Sequence, residues 1–201
     1  MGEPRFPRAE ADSPEFWEVR WRAEFTPWEA GRVPARLRAH LVARPPAGPV
    51  LVPGCGTGHD VRHIADAGFD VTGLDFSGAA LERARPVAGP HAGRLVEGDF
   101  FAHAGGPYSL VYERAFLCAL PRRRWDDWAK ACARLVAPGG ELAGFFYFGD
   151  GDRGPPFPLA EQAELDALLA PAFERTEDLP VEDSIAVFAG RERWQSWRRR
   201  S

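Results

Sequence analysis

Val50-Leu-Val-Pro-Gly54-Cys-Gly56-Thr-Gly58-His-Asp60 sets a short apolar run directly against three glycines at every second position. An uninterrupted apolar run predicts a buried parallel strand, and the glycines predict a loop whose backbone can lie against a ligand. The dinucleotide fingerprint needs its third glycine three residues after the second, and His59 occupies that place. The nicotinamide pattern is therefore broken.

Working outward, Phe69-Asp-Val-Thr-Gly-Leu-Asp75 reads as a second strand ending in a carboxylate. There an α/β cofactor site hydrogen-bonds the two ribose hydroxyls. The pair of motifs fits the glycine loop of an S-adenosylmethionine site. The competing reading makes the loop a structural strand-to-helix turn and Asp75 a cap or turn residue ahead of Ser77.

The pattern continues in βα alternation. His59 to Ala67 reads as a helix, Ser77 to Arg85 as a capped helix, Arg94 to Asp99 as a third strand and Tyr108 to Tyr112 as a fourth. Trp125 to Leu135 then reads as a helix and Glu141 to Phe148 as a fifth strand, with Pro138-Gly-Gly140 punctuating the two. A helix from about Leu159 to Leu169 follows, and Phe173 to Leu179 and Ser184 to Gly190 are expected to pair as an antiparallel edge. The result is a doubly wound, mostly parallel sheet of seven strands. Ligands in such sheets sit beyond the carboxyl ends of the strands, where Gly54, Gly56, Gly58, Asp75, Asp99, Glu113 and Arg114 all fall.

Chain length and composition suit one domain, residues 1–201, with 45% hydrophobic residues to form its core. Residues 1–45 are expected to form a lid segment and 46–201 the α/β core. With 25 Lys+Arg against 29 Asp+Glu, the formal charge of −4 offers no basic face for a nucleic acid. The odd set Cys55, Cys118 and Cys132 lacks metal-ligand spacing, and no signal peptide or long apolar span is present. A reducing cytoplasm, no membrane, no metal and a monomer are the expectations. Cys55 is read as packing under the loop rather than as a nucleophile, and His59 and His63, without a third ligand, as a solvated helix face. Trp194 to Arg200 interleaves aromatic and basic residues and reads as a solvated terminus.

Asp99-Phe-Phe101 offers adenine an acceptor for its exocyclic amine and apolar surface for its ring. Before the first strand, Trp17 and Trp21 share one helix face, and Trp28 follows Pro27 in a loop. An aromatic lid serves a sulfonium cofactor, whose positive sulfur is attracted to π faces and whose reaction benefits from excluded water. The alternative is that these indoles simply bury a helix on the core.

Taken together, Phe16-Trp-x-x-Arg-Trp21, Thr26-Pro-Trp-Glu-x-Gly31, Val52-Pro-Gly-Cys-Gly-x-Gly-x-Asp60, Gly73-Leu-Asp-x-Ser77, Tyr112-Glu-Arg-Ala-Phe-Leu-Cys-Ala-Leu-Pro121, Pro138-Gly-Gly140, Gly154-Pro-Pro-Phe157 and Glu192-Arg-Trp194 resemble the thiopurine S-methyltransferase family. The resemblance, from about Pro14 to Arg200, extends to the family's halide and thiol methyltransferases. It implies a Rossmann-like class I fold with an N-terminal helical lid and S-adenosylmethionine as methyl donor, released as S-adenosylhomocysteine. It places Trp21 and Trp28 over the donor, where Trp17 joins them on the lid reading, Gly54, Gly56 and Gly58 along its methionine, Asp75 on the ribose, and Asp99 with Phe100 at the adenine. Arg114, beside donor and acceptor, is the implied catalytic residue, with Trp28, Arg114 and Arg193 toward the acceptor. Two departures matter. The acid common two positions before the first glycine is Val52 here, as is general in this family, which weakens contact with the methionine amino group. Glu113-Arg114 resembles the thiopurine-type branch more than the halide-type branch.

The expected acceptor is a small soft nucleophile, a thiol, thiopurine-like sulfur or halide, for which in-line displacement needs alignment and desolvation but no base. Glu113 is the residue placed to assist a protonated thiol. An oxygen- or nitrogen-directed methyltransferase and a non-catalytic cofactor-binding module are the alternatives.

Overall fold

Val50–Pro53 is buried at all four positions, as its composition demands. It pairs in parallel with Val71–Asp75 on one side and Tyr108–Arg114 on the other. In the computed structural model, which describes residues 6–201, these are β1, β2 and β4. The remaining strands are β3 (Leu95–Glu97), β5 (Val136–Tyr147), β6 (Phe173–Pro180) and β7 (Glu192–Arg199). The helices are α1 (Pro14–Arg22), α2 (Ala35–Ala43), α3 (His59–Asp66), α4 (Gly78–Ala88), α5 (Trp125–Leu135) and α6 (Gln162–Leu169). Residues 1–5 of the expected lid segment lie outside the described residues.

The sheet order is β3-β2-β1-β4-β5-β7-β6, parallel except at β7, which runs against both neighbours. The chain winds outward from β1 to β3 and then returns to β4 beside β1. That reversal makes the crevice between β1 and β4 the switch point at which such sheets bind ligands. One face is filled by Trp128, Leu135, Phe146 and Trp197 beneath α5 and α6, the other by Leu37, Ile64, Tyr112 and Trp194 beneath α2 and α3. Among the described residues no helix is long and apolar enough to cross a membrane.

Three expectations change. Residues 184–190 form no strand; the partner of β6 is β7, which the sequence reading left as a solvated terminus. Trp194 and Trp197 are three apart and so fall on opposite faces of an extended strand, each buried in a different core. Between them Gln195 and Ser196 are fully buried, so a polar-looking segment forms an interior strand. Pro138-Gly-Gly140 does not interrupt β5 but lies inside it, opposite a register shift between Tyr108 and Leu110, as in a bulge. Helix α2, absent from the sequence reading, covers β1 with Leu37 and Leu41.

Candidate active site

The loop after β1 takes positive φ at Gly54, Gly56 and Gly58, of +59°, +51° and +74°. L side chains rarely adopt this conformation, so the alternate glycines are a geometric requirement. The Gly56 N–H donates to Asp75 Oδ2 at 3.1 Å and the Ser77 N–H to Oδ1 at 2.9 Å. Asp75 thus ties the glycine loop to the end of β2 while facing the cavity. Each carboxylate oxygen retains a second acceptor site for a ligand hydroxyl. Burial pushes its carboxyl up to about 6, against the pull of these backbone donors.

Ser13 caps α1 and Pro14 occupies its first turn. Trp21 is 3% exposed and packs on Ala79 and Ala80 of α4, whose small side chains let α1 approach. Glu18 Oε2 accepts from Ser77 Oγ at 2.7 Å and from the Ala79 N–H at 3.1 Å, so α1 caps α4 from outside. Trp28 stands edge-on to Trp17 and Trp21, with centroids 5.1 and 5.9 Å away. All three indoles line the cavity.

Asp99 lies exposed at the rim, accepting from the Phe101 N–H, while Phe100 is buried edge-on to Phe116. Both line the cavity, as do Gly54, Gly56 and Arg114. The Arg114 guanidinium lies 4.8 Å over the Phe145 ring. Burial opposes its charge, but the acidic groups of Tyr112, Asp60 and Glu192 outweigh that and hold it more firmly protonated than usual. Ala115, next in the chain, is left-handed at φ +53°, a strained conformation of the kind that concentrates at functional sites.

Three candidates fall elsewhere. Gly58 opens α3 and packs against α4, where a Cβ would lie 3.2 Å from that of Ala84. It does not line the cavity. Arg193 is also outside it: its Nε donates to Asp178 Oδ1 at 2.6 Å across the β6–β7 pair. Glu113 projects to the opposite face and accepts from the Phe116 and Leu117 N–H groups at 2.9 and 3.1 Å. It closes the turn after β4 instead of reaching the acceptor, because alternation along β4 puts it opposite Arg114. Cys55 packs against β2, its thiol pushed well up by burial, as the packing role requires.

The sequence reading missed Glu29 and took Asp60, with His59 and His63, as part of a solvated helix face. Glu29 crosses from the loop after Trp28 to accept from Thr57 Oγ1. Asp60 has a buried Oδ1 with no hydrogen-bond partner, and burial pushes its carboxyl up to about 7. Glu29 stands in the quoted Thr-Pro-Trp-Glu motif, the one signal that could have flagged it.

The cavity has a volume of about 1090 Å³, just above the roughly 300–1,000 Å³ usual for small-molecule sites. It is lined by the Asp75 carboxylate, the glycine loop at Gly54 and Gly56, and the indoles of Trp17, Trp21 and Trp28. Residues 12–200 match the family described as thiopurine S-methyltransferase, and the chain belongs to that family. It is 36% identical over 191 residues to thiocyanate methyltransferase 1 of Brassica oleracea, covering 91% of this chain and 84% of that one. It is 31% identical over 175 residues to a thiopurine S-methyltransferase of Vibrio cholerae, covering 77% and 80%. Its fold is similar to magnesium protoporphyrin IX methyltransferase of Synechocystis with bound S-adenosylmethionine, at a TM-score of 0.73 and 17% identity, covering 97% of this chain and all of that one.

Proposed function

We propose that this enzyme transfers the methyl group of S-adenosylmethionine to the sulfur of a small thiol. The observation that carries the reading is one cavity lined by Asp75, the glycine loop and the indoles together with Arg114 and the apolar side chains of Cys118, Pro155, Pro156, Val187 and Phe188. When bound, the donor supplies a methyl group activated by a positive sulfur. Asp75 accepts the ribose hydroxyls, Asp99 and Phe100 receive the adenine, and Trp17, Trp21 and Trp28 close over the centre and keep water out. Arg114 favours the thiolate form of an acceptor beside it, since a neighbouring cation lowers a thiol's pKa. The nucleophile then arrives already deprotonated, and no side chain has to take its proton during transfer.

Apolar walls beside Arg114 suit a thiol with a carbon skeleton better than a bare inorganic anion. The three free cysteines suit a reducing cytoplasm, and one chain supplies every wall named here, in keeping with a working monomer. The test is methyl-labelled donor with a panel of aromatic thiols, hydrosulfide, thiocyanate, iodide and a catechol. Methylated aromatic thiol is the expected product; methylation of the catechol alone would refute the sulfur reading.

A further inference from the structure

The methionine end of the donor is a zwitterion, and position 52, where an acid commonly meets its ammonium, is valine. The sheet order fixes where that end lies. With adenine at the β3 end and ribose on Asp75 of β2, the amino-acid end falls over β1 and its glycine loop. There Glu29 arrives from the lid side. Its Oε2 is held by Thr57 Oγ1, and its Oε1 stands within 2.5 Å of where a Cβ on Gly56 would be, directly above the loop backbone. Among the described residues no Lys, Arg or His comes within 4.0 Å of Glu29. Asp60 and Asp75 line the same cavity, and the Glu29 charge raises the carboxyl of each beyond what burial alone does. Of these three carboxylates in one cavity, Arg114 tempers Asp60 but not Asp75, and Glu29 has no ion-pair partner among the described residues.

We propose that Glu29 is the counter-ion of the donor's α-ammonium, so that the lid carries the acid missing from position 52. The inference rests on the donor reading above. It makes Glu29 a specificity residue: closure of the Trp28 segment is tied to the amino group of the ligand, and nucleosides lacking that group leave the segment unlatched.

The experiment compares S-adenosylhomocysteine with its analogue lacking the α-amino group, by calorimetry, on the full chain and on Glu29→Gln. The expected result is that the full chain prefers the amino-bearing ligand by about 10–100-fold, the worth of a charge-assisted hydrogen bond. Glu29→Gln should bind the analogue as before and lose most of that preference. Because the readout is a ratio within each variant, a general loss of fold cancels. An undiminished preference in Glu29→Gln, or no preference in the full chain, overturns the assignment while the donor reading stands. If the full chain binds neither ligand, the donor reading itself fails and takes the assignment with it.

Discussion

Asp75 accepts from two backbone N–H groups while lining the cavity, in a setting that raises its carboxyl to about 6. Its proton is held more tightly in the fold than in the unfolded chain, whose aspartate titrates near 4. Between about pH 4 and 6 the native state therefore binds more protons, and this group's contribution to stability falls as pH rises through that window. Ligand binding has the opposite sign, since ribose hydroxyls donate to the carboxylate form. Affinity for S-adenosylhomocysteine should thus climb as pH passes about 6. Asp75→Asn should bind more weakly by ~1–3 kcal/mol and lack that climb, as calorimetry across about pH 5 to 8 can show. A variant that keeps the climb would move the titration to Asp60 or another group. Asp75 was legible in the sequence because a strand end beside a glycine loop fixes where its side chain goes. Glu29 was not, because an acid in a proline-tryptophan loop gives no sign of the wall it will reach. Arg193 was misplaced for a related reason: its partner Asp178 appears only once β6 and β7 are in register.

Helix α1 has nine residues, too few to persist alone, so its helicity depends on docking. Two contacts supply that docking, Trp21 on Ala79 and Ala80, and Glu18 on the first turn of α4. Glu18→Ala should cost about 1 kcal/mol, the usual worth of a cap. Amide exchange should accelerate across residues 14–22 and at the start of α4 while β4 and β5 stay protected; uniform acceleration would show that α1 is an integral part of the core. Most elements of the parallel half were legible because apolar runs and helix periodicity alternate cleanly there. In the antiparallel half they did not. Residues 184–190 carry the aliphatic run of a strand but lie in a turn region, and Glu192–Arg199 carries charges yet forms an interior strand. Two tryptophans three apart, one for each face, meet the burial requirement without the alternation that marks a half-buried strand.

Across the whole molecule the close approach of β4 and β5 sets the position of Arg114, which lies over Phe145 of the neighbouring strand. Gly144 permits that approach: a Cβ there would collide with the Glu113 backbone carbonyl. Gly144→Ala should cost several kcal/mol, more than the ~1–3 typical of overpacking because backbone opposes it. Gly139→Ala, with open space but φ +73°, should cost only about 1–2 kcal/mol; thermal unfolding of the pair checks the contrast. The sheet order carries one more consequence. β6 is made before β7 yet pairs only with β7, which must enter between β6 and β5. Until residues 192–199 are in place, β6 has no partner and the margin of β5, bearing Phe145 and Phe146, stands open. Such a margin accepts any extended segment, including residues 192–199 of a neighbouring nascent chain. The misassembly this topology invites is therefore an exchange of residues 192–199 between chains that have not yet closed their sheets.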